Sequence, residues 1–308
     1  MILNLNNEID VQLSENFSKE EIDNVNIANL DYFGMDLLPT ENSGIQYKFY
    51  YLSRFSDKQY EKQNDVPFVN YVSGEMKGYL SIVHDHLNKG CNRFDIRIHR
   101  KHRSDEEMLQ LFSWLDSNVG FFKDYKEEIM RISTMKTVVS QYKYASLFFV
   151  GGIVDELKNI SLLKCHWANM IEPKYEKEFP REYYIDFLKN CNVKGFNDLL
   201  PITEKLFKVC GGKFCMEGID YCAEGRFKHK IYFVDLKNLY EGLSEIFEFN
   251  PEITKKISMA RDWHCCHPEF YCDGIAIGID SEQNYTLNLY YTFRKRFVSY
   301  LSPALNSN

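Results

Sequence analysis

This 308-residue sequence lacks long apolar runs and any sign of an export signal. No apolar stretch approaches the roughly 18 residues that a membrane-spanning helix needs. The N-terminal segment, MILNLNNE, has neither the basic start nor the apolar core of a signal peptide. We therefore expect a soluble, cytoplasmic protein with no membrane partner.

The sequence also lacks the common catalytic motifs and a cysteine framework. It contains no Walker-type glycine loop, no GxSxG or HExxH motif and no DDxxD segment. None of its nine cysteines forms a CxxC pair. The densest group, His264-Cys265-Cys266-His267, has adjacent ligands that are poorly spaced for tetrahedral zinc. We expect reduced thiols that pack as small apolar residues, and no resident metal site.

Net positive charge is absent as well, because the formal net charge is −7. This balance argues against a generally basic surface that binds nucleic acid. Apolar residues make up 44% of the chain and aromatic residues 15%, which is enough for a large core. Because similar segments recur from end to end, we expect one domain over residues 1–308.

What the sequence does contain is strict alternation, seen best in residues 226–233. One side of this predicted strand is cationic or phenolic: Arg226, Lys228, Lys230 and Tyr232. The other side is apolar. A lone strand of this kind would turn its cationic side to water. The same construction recurs, however, in pairs of strand-like runs joined by polar turns: 28–37 with 45–52, 79–87 with 92–100, 145–154 with 160–168, 213–221 with 226–234, and 272–280 with 285–294.

Helical patterns fill the intervals between these predicted hairpins. They lie at about 18–22, 57–76, 108–132, 178–191, 196–209, 236–248 and 251–262. Short turns connect antiparallel neighbours only, so the ten predicted strands form an antiparallel sheet in an α+β protein. The sheet removes its edges by closing into a barrel, with the helices covering its apolar face. The polar face then lines a lumen wide enough for a ligand.

Most residues predicted for that lumen are cations and tyrosines: Lys48, Arg93, Arg97, Lys164, His166, Lys228, Lys230, Tyr232 and Tyr290. Positive charge concentrated in a chamber suits a small polyanion such as a diphosphate. Aromatic faces can also shield a carbocation without capturing it. On the same parity we place three acids, Asp31, Asp95 and Asp220.

Short motifs along nearly the whole chain add to this repeat pattern: Leu30-Asp31, Tyr47-Lys48-Phe49, Asp95-Ile96-Arg97-Ile98, Arg226-x-Lys228-x-Lys230-x-Tyr232 and Asn288-Leu289-Tyr290-Tyr291. With them the sequence resembles the ABBA, or PT-barrel, aromatic prenyltransferases. Within that superfamily it is most similar to the cyanobactin peptide prenyltransferases of RiPP biosynthesis. The resemblance implies five αββα repeats around a ten-stranded antiparallel barrel.

The resemblance also implies a role for each lumen residue. The diphosphate of dimethylallyl diphosphate would be held by Lys48, Arg93, Lys164, His166, Lys228, Lys230, Tyr232 and Tyr290. Asp31 would accept the acceptor's proton, in the place where the family usually carries Glu. Lys48 stands where the peptide enzymes tend to carry Arg. The prenyl group or the acceptor would contact Tyr50, Asp95, Arg97, Asp220 and Asn288.

The expected activity is transfer of a dimethylallyl group to an Arg, Tyr or Trp side chain of a ribosomal, cyclic peptide. An arginine acceptor would be oriented by paired carboxylates, although Asp95 could equally neutralise Arg93 and Arg97 beside it. Two alternatives remain, a small-molecule aromatic prenyltransferase and a non-catalytic barrel that binds an anionic metabolite. Magnesium recruited by the diphosphate is the one cofactor allowed, and we expect a monomer.

Overall fold

The structure is a computed structural model, and it describes most of the barrel and six helices. The described residues are 7–16, 19, 30–38, 45–53, 67, 71, 79–85, 92–97, 105–134, 143–155, 157, 159–170, 196–211, 213–280, 282 and 284–293. For some of these residues, identified below where it matters, only the backbone is described.

The described residues include ten strands that form one closed antiparallel barrel. The strands are β1 Leu30–Leu38, β2 Gln46–Ser53, β3 Tyr79–Asp85, β4 Asn92–Arg97, β5 Lys143–Val154, β6 Ile160–Met170, β7 Lys213–Cys222, β8 Gly225–Val234, β9 Phe270–Asp280 and β10 Tyr285–Phe293. Each strand pairs with its neighbours in the chain, and β1 pairs with β10 to close the sheet. Antiparallel pairing follows from the short connections within each hairpin.

Aspartates begin two of the hairpin turns in the same way. The Asp155 carboxylate accepts hydrogen bonds from the backbone N–H groups of Leu157 and Asn159, both at 2.9 Å. The Asp280 carboxylate does the same for Glu282, at 3.0 Å, and Asn284, at 2.8 Å. A short polar side chain that bonds the backbone two residues on favours a turn. These residues therefore set where β5 and β9 end.

Six helices are described: α1 Glu8–Asn16, α2 Asp105–Asn118, α3 Phe122–Thr134, α4 Phe196–Cys210, α5 Leu239–Ile246 and α6 Pro251–Cys266. Asn250 caps α6, because its side chain accepts from the backbone N–H groups of Glu252 and Ile253, and Pro251 opens the first turn. Within the described residues, no helix is long and apolar enough to cross a membrane.

The main core lies between the outer face of the barrel and these helices. Phe33 of β1 has its ring 5.1 Å from that of Trp263 in α6, and both side chains are fully buried. On β9 the residues Ile275, Ile277 and Ile279 are buried. The alternate positions of β9 are Gly274, Ala276 and Gly278. The apolar side of each strand therefore faces the helices, which leaves the other side to the lumen.

The predicted antiparallel sheet with covering helices is confirmed, and the predicted hairpins coincide with the observed ones to within a few residues. Helices expected within 108–132 and at 196–209, 236–248 and 251–262 are also present. The segments expected to be helical at 18–22, 57–76 and 178–191 lie outside the described residues, apart from single positions. The fivefold αββα repeat is therefore seen only in part. A first helix was expected ahead of the first hairpin, at about 18–22, and the helix described in that part of the chain, α1, lies earlier, at Glu8–Asn16.

Candidate active site

Strand register shows which side chains share the lumen side of the barrel. His166 and Lys164 of β6 lie opposite Gly218 and Asp220 of β7, and Gly218 lies opposite Lys230 of β8. The same row continues through the lumen side of the strands from β9 to β2: Gly278, Ala276, Asn288, Tyr290, Gly34, Asp36 and Lys48. We call this row and its neighbours on the same parity the lumen face.

Four lysines of the lumen face, here called the lysine cluster, lie at one end of the barrel: Lys48, Lys164, Lys228 and Lys230. Lys48 binds the Asp36 carboxylate, and the two side chains are buried. Lys164 Nζ lies 2.5 Å from Asp220 Oδ2. Lys230 Nζ donates to Asn288 Oδ1 at 2.6 Å, which is a neutral amide. The Asn288 contact therefore orients the ammonium without cancelling its charge.

The lysine cluster keeps the carboxylates of Asp36 and Asp220 ionised. Burial alone would raise the pKa of Asp36, but the charges of Lys48 and Lys230 and the Lys48 hydrogen bond hold it far below its usual range. Burial likewise acts to raise the pKa of Asp220, and Lys164, Lys230 and His166 outweigh it. Ionised carboxylates accept hydrogen bonds only, so Asp36 and Asp220 fix the lysine side chains in place.

Burial and neighbouring positive charge disfavour the charged forms of two of these lysines, Lys228 and Lys230. Burial lowers the pKa of Lys230 well below its usual value, and the nearby charge of Lys228 lowers it further. Burial is also the main cause of the lowered pKa of Lys228, followed in that direction by Lys48. A cation with a lowered pKa gains more from an anionic ligand than a solvated one does. The cluster is therefore prepared to bind an anion.

Four tyrosines, here called the tyrosine belt, follow the lysine cluster along the lumen: Tyr32, Tyr50, Tyr232 and Tyr290. The ring of Tyr290 lies 5.9 Å from that of Tyr232, 6.0 Å from that of Tyr50 and 6.3 Å from that of Tyr32. Aromatic faces at this spacing attract a cation and offer it no strong nucleophile.

His166 lies on β6, two strands away from β8, and its side chain contacts Tyr232 of the tyrosine belt. Its Nε2 atom lies 2.9 Å from the Tyr232 hydroxyl, and the Phe149 ring meets its edge at 5.2 Å. The intervening strand carries Gly218 at the same level. An ideal Cβ on residue 218 would lie 2.4 Å from His166 Cδ2 and 2.5 Å from Nε2. Glycine therefore makes room for the imidazole to reach Tyr232.

The structure brings together most of the residues predicted for the site: Lys48, Tyr50, Lys164, His166, Asp220, Lys228, Lys230, Tyr232, Asn288 and Tyr290. The side chains of the remaining four, Asp31, Arg93, Asp95 and Arg97, lie outside the described part of the structure. By backbone register, Arg93, Asp95 and Arg97 lie opposite Ile153, Gly151 and Phe149 of β5. That register gives them the parity of Lys164 and His166.

Asp31 lies at a register shift in β1, between Leu30, which pairs with Tyr51, and Tyr32, which pairs with Tyr50. The sequence placed Asp31 on the same side as Phe33 and Met35 and assigned that side to the lumen. The structure buries Phe33 and Met35 in the core beneath the helices. The lumen side of this strand carries Tyr32, Gly34 and Asp36 instead.

Sequence reasoning missed four lumen residues: Tyr32, Asp36, Gly218 and Asp273. The run Tyr32-x-Gly34-x-Asp36 alternates with apolar residues just as the cationic strands do, and this signal could have identified Asp36. Asp273 belongs to a β-bulge, because Tyr290 pairs with Gly274 and Tyr291 pairs with Cys272. A bulge depends on the partner strand, so no local signal marks it.

The His264–His267 segment contributes to packing outside the barrel. His267 Nε2 lies 2.9 Å from Asp10 Oδ2, and His264 Nδ1 lies 2.7 Å from the Tyr240 hydroxyl. Cys265 and Cys266 are exposed. Among the described residues, no group of three or more His, Cys, Asp or Glu side chains could hold a metal ion.

Comparisons with known proteins agree with this geometry at the level of fold. No model of a known protein family matches the chain, and no curated protein matches it in sequence. Solved structures do match. AnaPT from Neosartorya fischeri superposes with a TM-score of 0.61 at 10% identity, covering 85% of this chain and 77% of AnaPT.

Two further solved structures, a prenyltransferase and a dimethylallyltryptophan synthase, are similar to the chain in fold. The NotF prenyltransferase has a TM-score of 0.59 at 9% identity, with 85% of this chain and 80% of NotF covered. The 6-dimethylallyltryptophan synthase from Micromonospora olivasterospora, solved with DMASPP and Trp, has a TM-score of 0.58 at 9% identity, with 84% and 80% covered. The chain therefore has the PT-barrel fold, and the expected resemblance to aromatic prenyltransferases is confirmed at that level.

Proposed function

We propose that this protein is a prenyltransferase that moves a dimethylallyl group from dimethylallyl diphosphate to a nucleophilic acceptor. The observation that carries the proposal is the adjacency of the lysine cluster and the tyrosine belt on one lumen face. A prenyl diphosphate has the complementary polarity, because one end is a dianion or trianion and the other is an apolar allyl group. The PT-barrel fold supports the same reading.

In the proposed reaction the C1–O bond of the donor breaks and its electron pair leaves with the diphosphate. Lys48, Lys164, Lys228 and Lys230 stabilise the negative charge that develops on the leaving oxygen, which is electrostatic catalysis in a buried site. The tyrosine belt shields the positive charge that develops at the allyl carbons. By resemblance, Arg93 assists at the diphosphate, and Asp31 stands at the position that accepts the acceptor's proton in the family.

For the acceptor we propose an Arg, Tyr or Trp side chain of a ribosomal, cyclic peptide, as in the cyanobactin enzymes that the sequence resembles. A small aromatic molecule is the second candidate, because the Micromonospora olivasterospora enzyme was solved with Trp and NotF was solved with brevianamide F. Both candidates share the donor chemistry described above and differ in the acceptor that the lumen admits.

Mass spectrometry of the acceptor tests the proposal directly. The protein is incubated with dimethylallyl diphosphate and a set of otherwise identical cyclic peptides bearing Arg, Tyr, Trp or His, with free tryptophan and small phenols in parallel. Addition of one dimethylallyl group to a peptide supports the first candidate, and addition only to small aromatics supports the second. If Tyr or Trp is prenylated while Arg is untouched, the arginine acceptor is wrong.

A non-catalytic barrel that binds an anionic metabolite is the rival from another class. It would need the lysine cluster but no group that accepts a proton from an acceptor. The rival is favoured if the protein binds a non-hydrolysable prenyl thiodiphosphate but releases no diphosphate from dimethylallyl diphosphate. In that case the mass of every acceptor should also stay unchanged. Prenyl transfer to any acceptor eliminates it.

Magnesium is proposed as a companion of the diphosphate and not as a resident ion. Asp36 and Asp220 of the lumen face each bind a lysine, so these two carboxylates do not form a cation cage. Turnover measured with and without a chelator tests this proposal, and an unchanged rate would contradict it. A single domain over 1–308, a monomeric state and a cytoplasmic location complete the proposal, and light scattering checks the monomer.

A further inference from the structure

Asp273 lies at the acceptor end of the lumen, on the far side of the tyrosine belt from the lysine cluster. Register along β8 and β9 gives this order, because Lys228 lies opposite Asp280, Lys230 opposite Gly278 and Tyr232 opposite Ala276. Asp273 is three residues beyond Ala276 in the same direction. A donor with its diphosphate on the lysines and its allyl group on the tyrosines would therefore meet its acceptor on the Asp273 side.

A β-bulge and a register shift, in strands on either side of β10, bring Asp273 and Tyr32 together. Asp273 is the extra residue of a bulge in β9, and Tyr32 follows the register shift in β1. Bulges redirect a side chain that regular alternation would point elsewhere. The Tyr32 hydroxyl donates a hydrogen bond to Asp273 Oδ2 at 3.1 Å, across β10.

Tyr32 also belongs to the tyrosine belt, where the proposed reaction takes place. Its ring meets the ring of Tyr290 edge to face, with centroids 6.3 Å apart, and is therefore part of the belt proposed to hold the allyl group. Tyr32 and Asp273 are both partly exposed. Water can therefore take up a proton that reaches Asp273.

We infer that Tyr32 and Asp273 form a proton relay that deprotonates the acceptor during prenyl transfer. The inference rests on the proposed function and identifies where the acceptor's proton goes. In this relay Tyr32 is the catalytic residue, because its hydroxyl would contact the acceptor, and Asp273 is a positioning residue that acts through Tyr32.

The proposed steps balance. The acceptor's nucleophilic atom bonds to C1 of the allyl group as the C1–O electron pair leaves with the diphosphate. The alkylated acceptor then transfers its proton to the Tyr32 oxygen while Tyr32 passes its own proton to Asp273 Oδ2. Asp273 releases that proton to water. A phenol has an ordinary pKa near 10, so it needs an adjacent carboxylate to accept a proton while giving up its own.

The test separates the donor step from the acceptor step in three variants, Tyr32→Phe, Asp273→Asn and Asp273→Glu. Asn keeps an oxygen that can accept from Tyr32 but cannot take a proton. We expect Asp273→Asn and Tyr32→Phe to bind a prenyl thiodiphosphate within about threefold of wild type. Their kcat for acceptor alkylation should fall by about 100-fold or more, the range for general acid–base catalysis, with a smaller change in the acceptor KM. Asp273→Glu should restore part of kcat.

Asp235→Asn is the matched control. Asp235 is an exposed acid just past the end of β8, at the same end of the barrel, and its φ of 56° is tolerated by Asn. We expect this variant to keep wild-type kcat. Melting temperatures of all variants should lie close together, because none of the substitutions removes buried apolar volume.

Three outcomes would overturn the relay. The first is a kcat for Asp273→Asn within about threefold of wild type. The second is an equal loss of donor binding and kcat, which indicates a structural role. The third is a fall in kcat for Asp31→Asn together with an unchanged kcat for Asp273→Asn, which assigns the proton to Asp31. Wild-type protein that prenylates nothing would instead contradict the proposed function, and the relay would fall with it.

Discussion

The imidazole of His166 occupies the space that a side chain at Gly218 would need, since an ideal Cβ there would lie 2.4 Å from His166 Cδ2. We predict that Gly218→Ala displaces His166 from Tyr232 and lowers turnover by about tenfold, because a neutral hydrogen bond contributes roughly 1 kcal/mol and the tyrosine also loses its orientation. The measurement is kcat and KM for Gly218→Ala, His166→Ala and the double variant.

The double variant distinguishes displacement from general damage. If the methyl group introduced at position 218 acts only through His166, adding Gly218→Ala to His166→Ala should change turnover little. Gly120→Ala serves as the control, because nothing lies within 4 Å of a Cβ placed there. Additive losses in the double variant would show that Gly218 acts elsewhere.

A second prediction concerns the amide that holds Lys230. Asn288→Asp keeps the shape of the side chain but places a negative charge 2.6 Å from the ammonium. We expect donor affinity to weaken by about tenfold to 100-fold, since a charged hydrogen bond contributes about 1.5–3 kcal/mol and the new carboxylate competes with the diphosphate for it. The readout is the dissociation constant of a prenyl thiodiphosphate. Asn238→Asp, an exposed helix cap with φ of 47°, controls for net charge, and equal effects of the two variants would contradict the prediction.

The barrel could be predicted from the sequence because its signals are local. Alternation along β8 separates Lys228 and Lys230 from Ile231 and Phe233 without reference to any other strand. Turn-forming acids such as Asp280 also predict where the strands end. The parity of these residues is enough to assign the lysine cluster and most of the tyrosine belt to one face of the sheet.

The rest of the site depends on partners that are distant in sequence. Asp273 leaves regular alternation only because β10 pairs with residues on both sides of it. Helix α1 has a weak amphipathic pattern, and it is held by contacts of Asp10 with Trp263 and His267 at the other end of the chain. Such features follow from tertiary packing, which local patterns do not encode.

The contact between Asp10 and His267 gives a third prediction, on stability. Burial acts to lower the pKa of His267, but the hydrogen bond and charge of Asp10, with help from Glu269, raise it above its ordinary value. A raised folded-state pKa means that the ion pair stabilises the fold fully below about pH 6.5, the unfolded value, and that this contribution is lost as the pH rises through the folded value. Asp10→Asn keeps an acceptor for Trp263 and removes the charge.

We expect Asp10→Asn to lower the free energy of unfolding by about 3 kcal/mol at a pH near 6 and by clearly less at a pH near 9. Urea unfolding at the two pH values measures the difference. Glu15→Gln changes an exposed acid in the same helix and should have little effect at either pH. Equal losses for Asp10→Asn at both pH values would show that the charge of His267 has no part in holding α1.

The last prediction is that the protein takes up protons when it binds a diphosphate. Burial, followed by the charge of Lys228, lowers the pKa of Lys230 well below its usual value in the free protein, and a bound anion should raise it again. Over the pH range between the free and bound pKa values, binding therefore protonates Lys230, and affinity falls as the pH rises through that range. The uptake is measured by calorimetry of prenyl thiodiphosphate binding in two buffers with different ionisation enthalpies. The pH is set about two units above the second pKa of a phosphate ester, which lies near 6. Lys230→Met should reduce the uptake, whereas the exposed Lys237→Met should leave it unchanged. Identical enthalpies in the two buffers, or net release of protons, would show that the lysine cluster is already fully charged before the donor binds.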